Sequence, residues 1–511
     1  MNKIAKFTGV ILAMIIAFSC MILPVSAAGE SFLTIRIFDG VAEVTGCLTT
    51  ASGKIDIPST YNGVSVTRIS NNAFNECARI SEVTIPSSVT SIGTGAFNNC
   101  DALKTVNFEG SSCTLGTSVF NNCVSLETVN LPSNLKSVPE KMFYGCYSLK
   151  EITIPSTVTS IGKEAFGICS SVSQFSIPAS VTSIGKNAFI GCRGVTAYSV
   201  ESGNTKYSSK DGVLYGETDK SLIQYPNAST RTSYTVVPGT KIIADYAFGD
   251  NTKLTKVTLP NGLEKIDSYA FYNCKTLSDI TIPSTVTFLG SQSFGRCPVL
   301  RNITIPSSVT EFESAFYKSG IENVVIANGV RKIGIRSFEE CTSLVSVEIP
   351  SSVETIDIGA FYNCTALNTL SVPASVRTIN SGAFYGCKNI TLYVDRDSVI
   401  HNYAVENGIK YVINGGDTVK SVSVLSLPNK TSYIYKEDLD TTGLKLSVVY
   451  ADGSFETVTS GYEVSHRTLT KTGSQIIDVT YGGKTAQFSV DVSYAWWQWV
   501  IMILLLGIFW Y

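Results

Sequence analysis

Apolar positions recur along this chain with a period of 22 or 23 residues. A small residue followed by phenylalanine occurs thirteen times in one phase, and the gap between Phe189 and Phe248 equals one repeat plus an insertion of 36 residues. The phased residues are Phe74, Phe97, Phe120, Phe143, Phe166, Phe189, Phe248, Phe271, Phe294, Phe316, Phe338, Phe361 and Phe384. A period of this length indicates a solenoid of stacked units.

Each unit combines a short alternating segment with a second extended piece. In residues 149–155, apolar side chains alternate as they do in a strand with one buried face, and Pro155 ends that strand. Val158 and Ile161 begin the second extended piece, Gly162 is expected to turn the chain, and Phe166 is expected to point inward. One unit cannot bury its own apolar face, whereas stacked copies can. The pattern therefore predicts a mainly β solenoid of about 13 coils with a parallel strand ladder, the strands about 4.8 Å apart.

The cysteines share the phase of the repeat. Eleven of the 14 lie three residues after the repeat phenylalanine: Cys77, Cys100, Cys123, Cys146, Cys169, Cys192, Cys274, Cys297, Cys341, Cys364 and Cys387. Phase locking places them in one column, where neighbouring side chains point the same way rather than at each other. We therefore predict a ladder of free thiols, with scattered disulfides as the alternative. Cys47 and Cys113 lie out of phase, and no C-x-x-C pair occurs.

The repeated pattern I-P-x-x-V-x-x-I-G-x-x-A-F-x-x-C resembles the BspA-type leucine-rich-repeat family over roughly residues 55–393. The resemblance implies a leucine-rich-repeat solenoid and a role in adhesion or ligand capture at a bacterial surface. The insertion near 198–236 resembles the β-hairpin excursions of such proteins, with Asp211-Gly212 as a tight turn. Local departures are Glu109, Pro139, Asn251 and Ser319, which replace the proline, the glycine and twice the cysteine of the unit.

The remaining chain divides into further segments. Residues 1–27 read as a signal peptide, 28–68 as an N-terminal cap, 69–413 as the solenoid with a C-terminal cap over 394–413, and 418–493 as a small β-sandwich. Motifs within 443–485 resemble bacterial immunoglobulin-like domains. The apolar run 495–511, with tryptophans at its start, predicts a C-terminal transmembrane helix that tethers the extracellular part to the membrane.

The composition argues against catalysis and against binding of nucleic acid. The chain holds only two histidines, His401 and His466, and 39 basic against 41 acidic residues, so its formal net charge is −2. That charge offers no electrostatic basis for binding nucleic acid. The sequence contains no H-E-x-x-H, G-x-S-x-G, P-loop or G-x-G-x-x-G motif. We therefore predict no enzyme activity, no cofactor and no metal site.

The outward positions of the strand ladder form the predicted ligand-binding face. Their side chains are mostly short and uncharged, so the alternative interpretation is a threonine-rich solvated sheet face. A second possible site is the aromatic group in the insertion, namely Tyr207, Tyr215, Tyr225 and Tyr234. The residues of the predicted face are Thr105, Asn107, Thr128, Asn130, Glu151, Thr153, Gln174, Ser176, Asp279, Thr281, Asn302 and Thr304.

These observations predict a bacterial cell-surface protein that displays a solenoid for protein–protein interaction. The expected partner is a surface protein of a host or neighbouring cell, with the membrane contacted through the C-terminal helix. Two alternatives remain at this point. One is a glycan-binding or hydrolytic surface protein, because acids far apart in sequence can meet in space. The other is a structural stalk that binds nothing.

Overall fold

Two strand ladders and one column of turns build the repeat region. The computed structural model describes residues 32–414, 418–451 and 453–508, so the predicted signal peptide lies outside the described residues. Each coil contributes one strand to the first ladder, a two-residue strand to the second, and then a turn that carries the repeat phenylalanine. The described chain is a mainly β solenoid of about 16 turns followed by a β domain.

The first ladder is parallel and in register, because residues one repeat apart pair directly. Val106 pairs with Val129, and Phe175 pairs with Tyr198. Between Thr128–Asn130 and Gln174–Ile177 one turn runs through 151–155 without strand pairing. The strands are Ser52–Asp56, Arg79–Ile85, Thr105–Phe108, Thr128–Asn130, Gln174–Ile177, Ala197–Val200, Ser233–Thr235, Lys256–Thr258, Asp279–Ile280, Asn302–Ile305, Asn323–Ile326, Ser346–Glu348, Thr369–Ser371, Thr391–Val394 and Lys410–Ile413.

The second ladder begins in the N-terminal cap, and its strand pairing is interrupted after Thr114–Leu115, after Ser183–Ile184 and after Phe288–Leu289. Its interior residues alternate with exposed ones, as in a sheet with one buried face. Its strands, with those of the cap and the insertion, are Leu33–Phe38, Val41–Cys47, Thr60–Tyr61, Val64–Ile69, Ser91–Ile92, Thr114–Leu115, Ser137–Val138, Ser160–Ile161, Ser183–Ile184, Tyr207–Lys210, Val213–Gly216, Ser221–Gln224, Ile242–Ile243, Lys265–Ile266, Phe288–Leu289, Glu311–Phe312, Lys332–Ile333, Thr355–Ile356 and Thr378–Ile379.

The expected number of coils was too low, because the count rested on the phenylalanine signature. Three turns of the first ladder lack that signature: those of Ala197–Val200, Thr391–Val394 and Lys410–Ile413. They still pair in register with their neighbours, as Leu392 with Tyr411 shows. Stacking therefore extends past the aromatic repeat, into the insertion and the C-terminal cap.

Left-handed residues shape the turn column. The residues two before and two after the repeat phenylalanine have positive φ, for example Asn72 at 57° and Glu76 at 63° around Phe74. This conformation lets the N–H groups of all three donate to carbonyls of the next coil, at 3.0, 2.9 and 2.7 Å for Asn72, Glu76 and Phe74. The main chain is thus hydrogen-bonded from coil to coil along the turns as well as along the strands.

The repeat phenylalanines stack along the core of the solenoid. Their ring centroids lie 4.6–5.8 Å apart with nearly parallel planes in both series. Tyr198 continues the first series by an edge contact at 5.4 Å, and Tyr225 begins the second by stacking on Phe248 at 5.2 Å. Because such rings each bury a large apolar area, this stack is a main source of coil-to-coil cohesion.

The glycine of the Ile-Gly pair does not turn the chain as expected. Gly162 has no positive φ; instead, a Cβ atom there would overlap the backbone of Pro139 and Glu140 in the preceding coil. Glycine is therefore used for close approach between coils, and the turn itself is made by the left-handed residues beside the phenylalanine.

The cysteine column is a ladder of thiols that donate to main-chain carbonyls. Cys100 Sγ donates to the Phe74 carbonyl at 3.1 Å, and Cys123 Sγ donates to the Phe97 carbonyl at 3.0 Å. The same bond recurs in every later coil that has the cysteine. All 13 cysteines of the described chain are free. Each of these column positions is buried and faces a main-chain carbonyl. Cysteine recurs there because it is a small apolar residue whose thiol is a weak donor.

We expect the folded protein at pH 8 to react with maleimide slowly and chiefly at Cys47, the only described cysteine that is not buried, because the hydrogen bond with Cys77 and partial burial raise the pKa of the Cys47 thiol. Burial raises the pKa of Cys192 and of Cys341 to about 12, so these thiols stay protonated as well as inaccessible. After unfolding without reductant, all 13 should be labelled when counted by mass spectrometry. Labelling of fewer than four in the unfolded protein would show that the column is oxidised.

The insertion is a three-stranded antiparallel excursion that rejoins the second ladder. Asp211 and Gly212 form its tight turn, with φ of 55° and 77°. Its tyrosines do not form the exposed aromatic group that the sequence suggested. Tyr215 and Tyr234 are buried with their hydroxyl oxygens 2.6 Å apart, and Tyr225 is fully buried. They replace the missing phenylalanine of that turn and are core residues.

The β domain packs two small sheets around its own core. One sheet holds Val419–Ser426, Lys445–Tyr450 and Phe455–Val458; the other holds Ser432–Ile434, Glu463–Val464, Gly473–Tyr481 and Lys484–Ser493. The core includes Leu446, Val448, Ile477, Val479 and Val490, on alternate positions of the facing strands.

The prediction of a C-terminal transmembrane helix is wrong for the described chain. The two helices among the described residues are short: Val399–Glu406 closes the solenoid, and Trp496–Ile508 follows the β domain with 13 residues. Thirteen helical residues extend about 20 Å, less than the roughly 30 Å of a bilayer core. Within the part of the chain that the structure describes, no helix combines the length and the apolar character needed to cross a membrane.

Candidate interaction surfaces

The predicted strand face lies on the outside of the first ladder. Its residues occupy two separate groups of turns: one spans the strands from Thr105–Phe108 to Gln174–Ile177, and the other spans Asp279–Ile280 and Asn302–Ile305. Thr105 and Asn107 are partly buried, and the other ten are exposed. Three strands of the first ladder, Ala197–Val200, Ser233–Thr235 and Lys256–Thr258, lie between the two groups together with the insertion. The predicted residues therefore form two patches rather than one strip.

Side chains on this face bond to their neighbours along the ladder. Thr128 Oγ1 donates to Thr105 Oγ1 at 3.5 Å, and Asn130 Nδ2 donates to Asn107 Oδ1 at 3.4 Å. In the second patch, Asn323 Nδ2 donates to Asn302 Oδ1 at 2.9 Å. These side chains therefore satisfy part of one another's hydrogen-bonding capacity.

Charges on the same face are paired across neighbouring turns. Lys256 Nζ lies 2.7 Å from Asp279 Oδ2, and Lys150 Nζ lies 2.6 Å from Glu127 Oε2. The hydrogen bond from Lys150 lowers the pKa of Glu127. Such exposed pairs contribute little to stability and set the local charge pattern instead.

Exposed apolar side chains concentrate in the C-terminal part of the solenoid. Between residues 32 and 287, only Phe38, Leu48 and Tyr147 are large, apolar and exposed among the described residues. Between 288 and 412 the corresponding residues are Phe288, Val325, Ile335, Val345, Ile358, Tyr385, Tyr393, Val399, Val405, Tyr411 and Val412. These residues lie on several faces of the C-terminal turns: Phe288 is on the second ladder, Val325 on the first ladder and Tyr385 in the turn column. Exposed apolar side chains are thus more frequent in these turns than in the rest of the solenoid, where they occur singly.

Tyr385 is the most exposed aromatic residue of this C-terminal region, with 66% of its surface accessible. It follows Phe384 in the turn column and stacks on Tyr362 at 5.3 Å, in the equivalent position of the preceding coil. Sequence reasoning missed this region because it considered only strand positions and the insertion. The available signal was the tyrosine directly after the last repeat phenylalanine, because the same position is partly buried in the preceding coil, at Tyr362, and exposed at Tyr385.

The two histidines do not meet. His401 Nδ1 accepts the Asp397 N–H at 3.1 Å at the start of the helix Val399–Glu406, and His466 lies in the β domain beside Ser465. No cluster of three or more His, Cys, Asp or Glu residues in the described ranges is arranged to hold a metal ion.

A parallel ladder with phased phenylalanine and cysteine columns defines a leucine-rich-repeat protein. The family described as BspA type Leucine rich repeat region matches residues 67–196, 227–315 and 312–422, and a bacterial Ig-like domain of group 3 matches 426–492. Since the first matches cover more than half of the chain, the protein belongs to the BspA-type leucine-rich-repeat family. The resemblance noted from the sequence is thereby confirmed.

Two solved structures are similar over most of their length. A leucine rich cell surface protein from Faecalibacterium prausnitzii is 29% identical with a TM-score of 0.53, and the match covers 63% of this chain and 94% of that one. A leucine-rich repeat protein from Eubacterium ventriosum is 27% identical with a TM-score of 0.50, covering 70% and 93%. None of the curated proteins matches the sequence. The family indicates a protein-interaction or surface role.

Proposed function

We propose that the protein acts at a bacterial cell surface and binds a surface protein of a host or neighbouring cell through the C-terminal part of its solenoid. The observation that carries the proposal is the concentration of exposed apolar residues between 288 and 412. The kinship with the Faecalibacterium cell surface protein supports the location. Binding through a repeat surface needs no catalytic group, which agrees with the repeat fold of the family.

The apolar region favours a protein partner over a glycan. Its exposed members include aliphatic side chains such as Val325, Val345 and Ile358, which offer apolar contact and no hydrogen bonds. Protein interfaces combine such apolar contacts with aromatic anchors at their centre. Tyr385 supplies an aromatic anchor in the same region.

We expect Tyr385→Ser to weaken binding to the protein partner about tenfold, because hot-spot aromatics at interfaces contribute about 1–2 kcal/mol or more. The purified protein is immobilised, partners are captured from surface-biotinylated host and bacterial cells, and each captured protein is then purified and titrated by biolayer interferometry. A glycan array is probed in parallel.

The matched control is Tyr147→Ser, which removes a tyrosine that is 47% exposed in the N-terminal part of the solenoid. This variant should bind as the unchanged protein does. Equal loss in both variants, or binding only to glycans, would contradict the assignment of the C-terminal region. Absence of any saturable partner would favour a structural stalk.

A further inference from the structure

A cavity of about 580 Å³ with a mixed polar and apolar lining lies at the interruption of the second ladder after Ser183–Ile184. Ser183–Ile184 ends one run of parallel strands, and Ser221–Gln224 of the insertion is the first strand that pairs in parallel with the next run. The N–H of Ile184 has no strand partner there in the described chain and donates to the Tyr207 hydroxyl oxygen at 2.7 Å. The insertion therefore closes one side of the cavity. The volume is that of an ordinary small-molecule site.

Both halves of the solenoid supply charged groups to this cavity. Its walls include Lys186, Lys206, Asp219, Asp245 and Asp267. Lys186 Nζ lies 2.9 Å from Asp245 Oδ1 across the gap, so these two charges satisfy each other. The Asp219 carboxylate accepts hydrogen bonds from the Ser221 N–H at 3.1 Å and from its hydroxyl at 2.7 Å.

Two acceptors in the wall lack a donor among the described residues. The Asn187 Oδ1 atom is buried and has no hydrogen-bond partner. Asp267 is half-buried, and neither an ion pair nor a hydrogen bond to its carboxylate is present in the described part of the chain. Burial raises the pKa of Asp267, and the nearby Asp245 raises it further. The buried Asn187 oxygen is costly without a donor, and a bound donor would remove that cost. The half-buried Asp267 carboxylate is open on its cavity side to a ligand.

The other residues that line the cavity limit the kind of ligand that it can bind. Gln224 is almost fully buried, with its Nε2 atom held by the carbonyls of Tyr246 and Ala247 at 3.4 and 3.3 Å. Hydroxyls of Thr182 and Thr218 and the apolar side chain of Ile223 complete a mixed lining. The lining therefore combines an unpaired carboxylate, an unpaired amide oxygen and hydroxyl groups.

We propose that this cavity binds a small hydroxylated molecule that carries a primary ammonium group, an amino sugar in chemical class. The ammonium group pairs with the Asp267 carboxylate, and the Asn187 amide oxygen accepts a hydroxyl or ammonium hydrogen. Hydrogen bonds to charged groups contribute more than neutral ones, so the carboxylate contact determines the affinity. The site is independent of the apolar region between 288 and 412.

Isothermal titration of the full chain with D-glucosamine tests this site, with D-glucose and N-acetyl-D-glucosamine as probes that lack the ammonium group. We expect saturable binding of D-glucosamine and at least about tenfold weaker binding of the other two. Asp267→Asn should weaken D-glucosamine binding by about the same factor. Asp101→Asn, the same change at an exposed turn, should leave it unchanged.

A second variant separates loss of the contact from loss of the fold. Asn187→Gly removes the amide and suits the left-handed backbone at that position, where φ is 59°. It should also weaken binding, while circular dichroism and the thermal transition stay close to those of the unchanged protein. Failure of D-glucosamine to bind the folded chain, equal binding of all three sugars, or undiminished binding by folded Asp267→Asn would each overturn the proposal.

Discussion

Phe271→Ala is expected to lower the free energy of unfolding by about 3–5 kcal/mol. Phe271 is fully buried, and its ring stacks on Phe248 at 4.9 Å and on Phe294 at 5.2 Å. Removing the ring deletes two stacking contacts and leaves a cavity in the middle of a continuous column, where coils on both sides are held by the same stack. Urea unfolding followed by circular dichroism measures the loss.

Phe288→Ala is the matched control for this change. Phe288 lies on the second ladder of the next coil and is 47% exposed, so its removal creates no cavity. We expect its effect to stay within about 0.5 kcal/mol, as for most surface substitutions. Similar losses in the two variants would mean that the phenylalanine column is not the main contact between coils. In a repeat protein the loss of stability is best measured as the shift in the urea midpoint of the transition that includes the altered coil.

The phase of the apolar residues was enough to predict the stacked coils, because each coil repeats the same burial pattern. It was not enough to count them. The turn of Ala197–Val200 uses Tyr198, and that of Thr391–Val394 is covered by the helix Val399–Glu406, so neither needs a phenylalanine in phase. Main-chain hydrogen bonds continue from coil to coil even where the phenylalanine is absent. The sequence period shows only the repeated side chains, so it missed those coils.

The candidate surfaces were harder to predict, because exposure depends on neighbouring coils. In the sequence, Tyr225 and Tyr234 look like part of an exposed aromatic patch. In the structure they are buried and fill the core where the insertion has no repeat phenylalanine. Tyr385 has a buried phenylalanine directly before it and is nevertheless exposed. The cavity beside Asp267 joins residues from turns on either side of the insertion, and no local pattern in the chain marks that junction.

Gly320→Ala is expected to destabilise the solenoid by about 2 kcal/mol or more, because a Cβ atom there would overlap the carbonyl group of Pro298. The coil at this point is one residue shorter than the preceding one: a single residue joins Ser319 to buried Ile321, where two join Cys297 to Leu300. The glycine N–H also donates to the Cys297 carbonyl at 2.9 Å, which holds the backbone close to the coil below.

The backbone at Gly320 cannot yield easily, because its N–H and its carbonyl are both hydrogen-bonded in place. Arg301 Nη1 donates to the Gly320 carbonyl at 3.0 Å, which adds a further constraint. Gly46→Ala is the control, since a Cβ atom at Gly46 would meet only Thr34 at 3.8 Å in an ordinary contact. We expect that change to be neutral or slightly stabilising, because alanine costs less backbone entropy than glycine in a strand. A thermal transition of Gly320→Ala equal to that of Gly46→Ala would show that neighbouring coils can separate to admit a methyl group, and that close approach is not what this glycine provides.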